Sequence, residues 1–397
     1  MAEARAAVAK DGSLTSITIY DGKNSVTFTK GGNGNYSSPH LAGWTANIDK
    51  VVPLMIFQID NNDNVTAAME RALRFVAGKK DMTISFPKEA SLTISKQMNL
   101  PSDFKLEGNN SLLSTVKGGS YPNNGAIYLD NLSKNIEIEG LKLNLTDTSG
   151  LQGIQAYTAS HIKIRNNQFL NVNGTSSNPA AAISFISGLT GNIEEIEIEH
   201  NLIKATIGGD RGQAGHRDAN SVGMRFNGAL LVNAAYTRAP ARLWQEMTEN
   251  GFIEPADPNR PVRQITIRNN IIDGGYYGIE FSTVSDSVIE DNHITNNVRN
   301  ISLQNHTANN QVRNNLLTDA VSASVHLAYQ AHDNIISGNA IASERSTGQP
   351  PLQAYQKSEK NIFERNRVNG IANASMNLAY VGPDSSHSQF KDNLLSG

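Results

Sequence analysis

One six-residue pattern recurs along this chain: Ile289-Glu-Asp-Asn292-His-Ile294, Val312-Arg-Asn-Asn315-Leu-Leu317 and Ile336-Ser-Gly-Asn339-Ala-Ile341. In each copy, an asparagine lies three positions after one apolar residue and two positions before another. Further copies are centred on Asn167, Asn201, Asn270, Asn366 and Asn393. From Asn270 to Asn393, successive asparagines of the pattern are 22 to 27 residues apart. A period of this length is typical of a solenoid, in which each repeat is one coil that buries its apolar face against its neighbours.

The residues within each coil have strand periodicity rather than helical periodicity, because apolar and polar positions alternate. Coils of stacked parallel strands lie about 4.8 Å apart. At that spacing, the recurring asparagines can hydrogen-bond one another along one turn. The pattern therefore predicts an all-β chain, a parallel β-helix of about ten coils.

Composition agrees with this prediction. The chain has 397 residues, of which 18% are charged, and a solenoid can hold all of them in one domain. The formal charge of −3 favours neither nucleic acid nor a membrane as a partner. The absence of cysteine excludes disulfides and thiolate metal sites. The first residues lack the apolar core of a signal peptide, so the protein is either cytoplasmic or phage-borne, or it is secreted or periplasmic and its signal peptide has been removed. We expect the second.

Two segments precede the regular coils. Residues 1–60 contain short strand-like runs and a Gly/Asn-rich stretch, which predict an N-terminal extension packed on the solenoid. Residues 64–77 have helical spacing, with Asn64 as a cap at the start and Gly78 as the end. A helix here would cover the open edge of the first coil. Residues 61–397 are predicted to form a single β-helix domain.

From the helix onward, the chain resembles the pectate-lyase-like superfamily of right-handed parallel β-helices. The resemblance is carried by helix 64–77, by Met82-Thr-Ile-Ser-Phe-Pro87, by Leu100-Pro-Ser-Asp-Phe-Lys-Leu-Glu-Gly108 and by the coils that follow. It implies a right-handed solenoid with an N-terminal capping helix. It implies less about the reaction, because this fold hosts lyases, hydrolases, epimerases, transferases and adhesins.

A second strand-like run precedes the asparagine pattern in each coil, and its alternation predicts which residues face outward. One outward column is predicted to contain Tyr128, Gln155, Ser184, Arg225, Glu280, Ser302, His326, Gln353 and Asn377. A second column contains Asp130, Tyr157, Ile186, Asn227, Ser282, Gln304, Ala328 and Tyr355. Arg225 and Glu280 should then be neighbours, with His326 two coils beyond Glu280. These columns suit a saccharide cleft, although an ordinary solvated face is the alternative.

Two insertions are predicted beside this surface, at 204–220 and 233–263. Long loops on a rigid scaffold often carry function. The first holds His216, Arg217 and Asp218, and the basic residues of both suggest an anionic ligand. Residues of the second that could bind a substrate are Arg238, Arg242 and Trp244.

The candidate residues fit two reactions. In a lyase, Arg225 and Arg217 would hold a uronate carboxylate while His216 or His326 moves the proton, oriented by Asp218 and Glu280. In a hydrolase or glycosyl transferase, Asp218 and Glu280 would act as a carboxylate pair. Tyr157, Asn227 and Gln304 are further substrate-binding candidates in either scheme.

A third alternative is a non-catalytic glycan-binding adhesin or phage fibre domain. The basic loops favour a polysaccharide lyase acting by β-elimination, although family motifs that would settle the reaction are absent. No cofactor is predicted, but Asp and Asn side chains at the groove could hold Ca²⁺. The expected partner is a polysaccharide or oligosaccharide, and an oligomer is possible.

Overall fold

The structure is a computed structural model that describes residues 1–59, 63–130, 132–145, 150–174, 179–187, 192–205, 221–228, 261–342, 349–369 and 379–395. The regular coils form a right-handed parallel β-helix. Strands from successive coils pair in parallel to give three ladders, here called the first, second and third ladders. The asparagine pattern lies at the turn between the first and second ladders.

An N-terminal region precedes the coils. It contains a helix, Ala2–Lys10, which the sequence pattern did not predict. It also contains an antiparallel sheet of four strands: Ser16–Tyr20, Ser25–Lys30, Tyr36–Ser37 and Trp44–Ala46. The Lys23 ammonium lies 2.6 Å from the Glu107 carboxylate, and Asn24 donates a hydrogen bond to Ser85. These contacts join the N-terminal sheet to the early coils.

The predicted capping helix is present as Thr66–Val76. Its backbone begins where Asn64 Oδ1 accepts a hydrogen bond from the Thr66 amide at 2.9 Å. It ends before Gly78, whose φ of +74° is favourable for glycine. The helix packs on the first strands of the second and third ladders and on the 3₁₀ helix Leu54–Phe57, which covers the end of the core.

The first ladder contains twelve strands: Val51–Pro53, Met82–Ser85, Phe104–Glu107, Ser133–Glu139, Ala159–Arg165, Ile193–Glu199, Val262–Arg268, Val288–Glu290, Gln311–Arg313, Ile335–Ser337, Ile362–Glu364 and Gln389–Lys391. The second contains Ser91–Lys96, Leu112–Ser120, Lys142–Asn144, Gln168–Val172, Leu202–Ala205, Leu316–Thr318, Ala340–Ala342, Arg367–Asn369 and Leu394–Leu395. The third contains Met98–Leu100, Gly125–Leu129, Gln152–Ala156, Ala180–Ile186, Ser221–Asn227, Ala323–Ala328, Leu352–Ala354 and Ala379–Val381. Two long strands, Ile271–Ser282 and His293–Gln304, contribute to both the second and the third ladders.

The predicted asparagine stack is confirmed. Each asparagine from Asn167 to Asn366 donates its side-chain amide to the side-chain oxygen of the next, at 2.9–3.1 Å. The same oxygen also accepts the backbone amide of the preceding asparagine, as Asn315 does from Asn292 at 3.0 Å. These bonds satisfy buried polar groups that would otherwise destabilise the core.

A second asparagine stack, which the sequence analysis missed, lies at the turn that enters the first ladder. Asn310 donates to Asn334, and Asn334 donates to Asn361, both at 3.0 Å. Within the described residues, three coils carry it, so the repeat is too short to stand out in the sequence. It shows that two of the turns in this part of the solenoid are stabilised by side-chain amides.

One strand prediction is wrong. The pattern places the last outward strand at 376–378, with Asn377 in the column, but Gln353 pairs with Tyr380 in the strand Ala379–Val381. Asn377 itself lies outside the described residues. The last coils are longer than the central ones, so alternation alone could not fix the register there.

Candidate functional site

The outward face of the third ladder has the predicted register. Arg225 pairs with Glu280, Glu280 with Ser302, and Ser302 with His326. The residues that flank Arg225, Glu280 and His326 in their strands all belong to the hydrophobic core. Since side chains alternate along a strand, the three residues point away from that core.

These outward residues are nevertheless buried. Arg225 is 8% exposed, Glu280 4% and His326 0%. The alternative of an ordinary solvated face therefore does not describe this part of the ladder. Buried polar groups are costly unless they are hydrogen-bonded, so their partners decide what the surface can do.

Arg225 and Glu280 form a buried ion pair. Arg225 Nε donates to Glu280 Oε2 at 2.6 Å, and Gln304 Nε2 donates to Glu280 Oε1 at 3.2 Å. Both carboxylate oxygens are thus engaged, and much of the Arg225 charge is compensated. The pair resembles a structural element more than two independent catalytic groups.

His326 lies at the centre of a second hydrogen-bonded chain. Its Nδ1 lies 2.8 Å from Ser302 Oγ, and its Nε2 lies 2.6 Å from Tyr355 Oη. If the Tyr355 hydroxyl donates to Nε2, the remaining ring N–H donates to Ser302. Tyr355 is only partly buried, so it connects the buried imidazole to the surface.

Arg299 lies beside this chain, and the sequence analysis missed it. Its Nη1 donates to the Tyr277 hydroxyl at 3.3 Å, while its buried Nε has no hydrogen-bond partner among the described residues. Tyr277, Tyr355, Tyr276 and Tyr329 all lie within electrostatic range of its guanidinium. A cation surrounded by phenols is therefore next to the His326–Tyr355 pair.

Arg299 was not predicted as a site residue because the alternation of inward and outward positions breaks in this part of the ladder. A Cβ placed on Gly278 would meet the side chain of Ile294 in the core, and Ile279 also belongs to the core. Two successive inward positions change the phase, so Tyr277 and its ladder partner Arg299 are outside the predicted columns. A recurring glycine before the inward residue was the available signal, since a Cβ on Gly223 would likewise meet a core side chain, that of Ile272.

Two pKa shifts follow from this arrangement. Burial, together with the nearby Arg299, holds the pKa of His326 well below its usual range. Burial raises the pKa of Tyr355, and the Arg299 charge opposes that shift. His326 is therefore a neutral imidazole near neutral pH, able to accept a hydrogen bond from the Tyr355 hydroxyl.

The other predicted site residues fall into two groups. Asn227 and Gln304 occupy the second column as predicted, joined through Ser282. Tyr157 contacts Tyr128, and their ring centroids are 6.1 Å apart. The coil that carries Tyr157 lies two coils before the coil of Arg225. The remaining candidates lie outside the described residues, as do most of both insertions: His216, Arg217, Asp218, Arg238, Arg242 and Trp244.

Among the described residues, no three His, Cys, Asp or Glu side chains are grouped closely enough to hold a metal ion. None of the helices in the described ranges is both long and apolar enough to cross a membrane.

Comparison with solved structures supports the fold alone. A family model described as "Periplasmic copper-binding protein (NosD)" matches residues 245–395, less than half of the chain. A point mutant of the tailspike protein of E. coli bacteriophage HK620, in complex with a pentasaccharide, has a TM-score of 0.57 at 11% identity. That match covers 91% of this chain and 69% of the tailspike chain. No curated protein sequence matches this chain.

Two enzyme structures are more distant in TM-score. The Azotobacter vinelandii mannuronan C-5 epimerase AlgE6 A-module has a TM-score of 0.42 at 14% identity, covering 88% of this chain and 99% of the module. The Thermotoga maritima exopolygalacturonase has a TM-score of 0.48 at 10% identity, covering 87% and 92%. The tailspike match agrees with the right-handed parallel β-helix fold described above.

Proposed function

We propose that this protein acts on a polysaccharide or oligosaccharide at the outer face of its third ladder. The observation that carries the proposal is the buried Ser302–His326–Tyr355 chain beside Arg299, which ends at a surface rich in tyrosine. Tyrosine rings with their hydroxyls suit a sugar, which has apolar C–H faces and polar edges. The bound pentasaccharide of the tailspike relative supports a glycan ligand on this fold.

The finer proposal is a lyase that acts on a uronate-containing glycan. In β-elimination, the C5–H and C4–O bonds break, a C4–C5 double bond forms and the leaving oxygen gains a proton. In this proposal, the Tyr355 phenolate takes the C5 proton and the phenol so formed returns it to the leaving oxygen. Arg299 stabilises the phenolate, and His326 Nε2 orients Tyr355 Oη. A cation that stabilises the carboxylate lowers the barrier to this step.

Arg299 is better suited than Arg225 to bind that carboxylate. Glu280 already compensates the charge of Arg225, whereas Arg299 is surrounded by neutral phenols and has a buried N–H without a partner among the described residues. Arg217, the other predicted carboxylate ligand, lies outside the described residues.

The rival hydrolase mechanism uses Asp218 and Glu280. Both oxygens of Glu280 accept hydrogen bonds from neighbouring side chains, whereas a general acid must present a proton to the glycosidic oxygen. The non-catalytic alternative, glycan binding as an adhesin, needs only the surface and not the His326–Tyr355 pair.

A panel of polysaccharides tests these proposals. Ultraviolet absorbance of an unsaturated uronate product identifies a lyase, and new reducing ends without that absorbance identify a hydrolase. Binding without either product supports the adhesin. If no glycan binds or is cleaved, the proposal of a glycan-acting protein is wrong.

Two further proposals accompany this one. We propose that the protein is exported from the cytoplasm. The description of the family model that matches residues 245–395, which contains the word "periplasmic", supports this proposal. Fractionation of cells that express the native gene would test it. We also propose that Asp and Asn side chains at the groove bind Ca²⁺. The effect of a chelator on glycan binding would test this proposal.

A further inference from the structure

A turn of unusual backbone follows the third ladder in three successive coils. Both residues of each pair have positive φ, with values of 53–65°: Asn305 and His306, Tyr329 and Gln330, Gln356 and Lys357. The pairs are hydrogen-bonded in register, since the His306 amide donates to the Tyr329 carbonyl and the Gln330 amide to the Gln356 carbonyl, both at 3.0 Å. Side chains other than glycine adopt this conformation at some cost, so the stacked turns hold their side chains in fixed positions.

The turns present two columns of polar side chains. His306, Gln330 and Lys357 form one. In the other, bridges between neighbouring coils join Ala308 to His332 and His332 to Glu359. Glu359 Oε2 accepts a hydrogen bond from the Ser386 hydroxyl at 3.1 Å.

A pocket of 560 Å³ lies between these columns, lined by His306, Gln330, His332, Lys357, Glu359 and Asp384. Its volume falls within the range of about 300–1,000 Å³ that is usual for small-ligand sites. Each lining side chain can hydrogen-bond, as a polyhydroxylated ligand requires. The lining residues therefore make the pocket a candidate subsite, and this assignment does not depend on the role of His326.

Its position links it to the proposed reaction site. Tyr355 precedes Lys357 by two residues, and Tyr329 directly precedes Gln330. Tyr329 lies within electrostatic range of both Arg299 and Tyr355. A glycan chain that places one unit at Tyr355 can therefore place a neighbouring unit in the pocket.

The charges of the two places differ. The reaction site has the Arg299 cation among neutral phenols, whereas the pocket has one ammonium, of Lys357, and two carboxylates, of Glu359 and Asp384. No ion pair joins Lys357 to either carboxylate in the described part of the chain. A second uronate would meet the two carboxylates and be repelled, whereas a neutral sugar would find donors and acceptors without repulsion.

We infer that the pocket is a subsite for a neutral sugar unit, and that the glycan recognised by this protein is a heteropolymer in which a uronate adjoins a neutral sugar. This inference rests on the proposed function, because it takes the uronate to lie at Arg299 and Tyr355. It excludes homopolymeric polyuronates as preferred substrates.

The experiment compares oligosaccharides of equal length, one set of uronate units only and one set in which uronates alternate with neutral hexoses. Calorimetric binding and initial rates are measured with the full chain. We expect kcat/KM to be higher for the alternating set by about tenfold or more. One good hydrogen bond, together with the removal of charge repulsion, has an effect of about this size.

Variants locate the preference in the pocket. Gln330→Asn and Lys357→Asn shorten the lining side chains, and asparagine tolerates the positive φ at both positions. Each should raise KM for the alternating set about tenfold. Lys360→Asn is the matched control, because Lys360 is exposed, has a φ of 57° and does not line the pocket.

The outcomes separate the two proposals. Equal or better activity on uronate-only oligomers, unchanged by Lys357→Asn, overturns the heteropolymer inference and leaves the proposed function intact. Failure of the wild-type protein to bind or cleave either set, or any other glycan in the panel, overturns both.

Discussion

The outer faces of the first and third ladders contrast sharply, although the same coils build both. On the first face, charges of opposite sign meet in neighbouring coils: the Arg268 guanidinium lies 2.7 Å from Glu197 and 2.8 Å from Glu199. Arg165 bridges Glu137 and Glu139 in the same manner. The Arg268 side chain remains 39% exposed. On the third face, His326 is fully buried and Arg299 keeps an N–H without a partner among the described residues.

This difference separates a stabilising surface from the surface that we propose to be reactive. Exposed ion pairs contribute little each and are satisfied without any ligand. A buried neutral histidine and a desolvated arginine lower the stability of the fold. Such groups are concentrated at functional sites, where they are retained for function rather than for stability.

The largest expected effect is on catalysis. His326→Asn keeps an amide near Ser302 but loses the contact with Tyr355, so kcat on the best glycan should fall about 100- to 10,000-fold, the range for a general acid–base group. His161→Asn is the matched control on the first face, where the imidazole lies 2.8 Å from Glu195 and is exposed. Comparable rates for the two variants would remove His326 from the mechanism.

The next effect is on stability. Glu280→Ala removes the carboxylate that compensates the buried Arg225 charge, and the free energy of unfolding should fall by about 3–5 kcal/mol in chemical denaturation. A double replacement, Arg225→Met with Glu280→Leu, should recover much of that loss. If Glu280→Gln instead abolishes turnover while the unfolding free energy is unchanged, the hydrolase mechanism gains support over the lyase.

The asparagine stack should show a gradient along the solenoid. Asn315→Ala removes bonds to Asn292 and Asn339 and to the Ile289 carbonyl, and should destabilise by about 1–3 kcal/mol. Asn393→Ala should cost less, because Asn393 is only partly buried at the last described turn. Equal losses at the two positions would contradict a stack that works by burial of its amides.

Stability should also depend on pH through His326. Its pKa is lowered in the folded protein, so below the ordinary value of 6.5 the unfolded chain binds a proton that the folded one does not. Stability should therefore fall as pH decreases below about 6.5, by at most about 1.4 kcal/mol per pH unit from this group. Denaturation of the wild type and of His326→Asn across that range measures the difference in unfolding free energy, and this difference should stop changing with pH above about 6.5.

The smallest effect is expected on the first face. Arg313→Met removes the ion pair with Glu290, whose guanidinium–carboxylate distance is 2.7 Å and whose arginine is 43% exposed. The loss should be below about 1 kcal/mol and smaller still at high salt. A loss as large as that of Glu280→Ala would show that the two faces do not differ in the way proposed.

The sequence predicted much of the fold because its signals are local and repeated. The spacing of Asn270, Asn292 and Asn315 indicated the coils, and alternation around Glu280 and His326 indicated which residues share a column. Even the distance of two coils between Glu280 and His326 followed from that pattern. Where coil length varies, near residue 377, the same pattern gave the wrong strand.

The sequence by itself therefore determined the solenoid, its asparagine stack and the outward column. Only the tertiary structure decided that this column is buried, that Glu280 is held by Arg225 and Gln304, and that Tyr355 meets His326. Arg299 joins them because the alternation breaks at Gly278 and Ile279. The physical reason is that strand periodicity is a property of a few neighbouring residues, whereas desolvation and partner choice depend on side chains that come together from different coils.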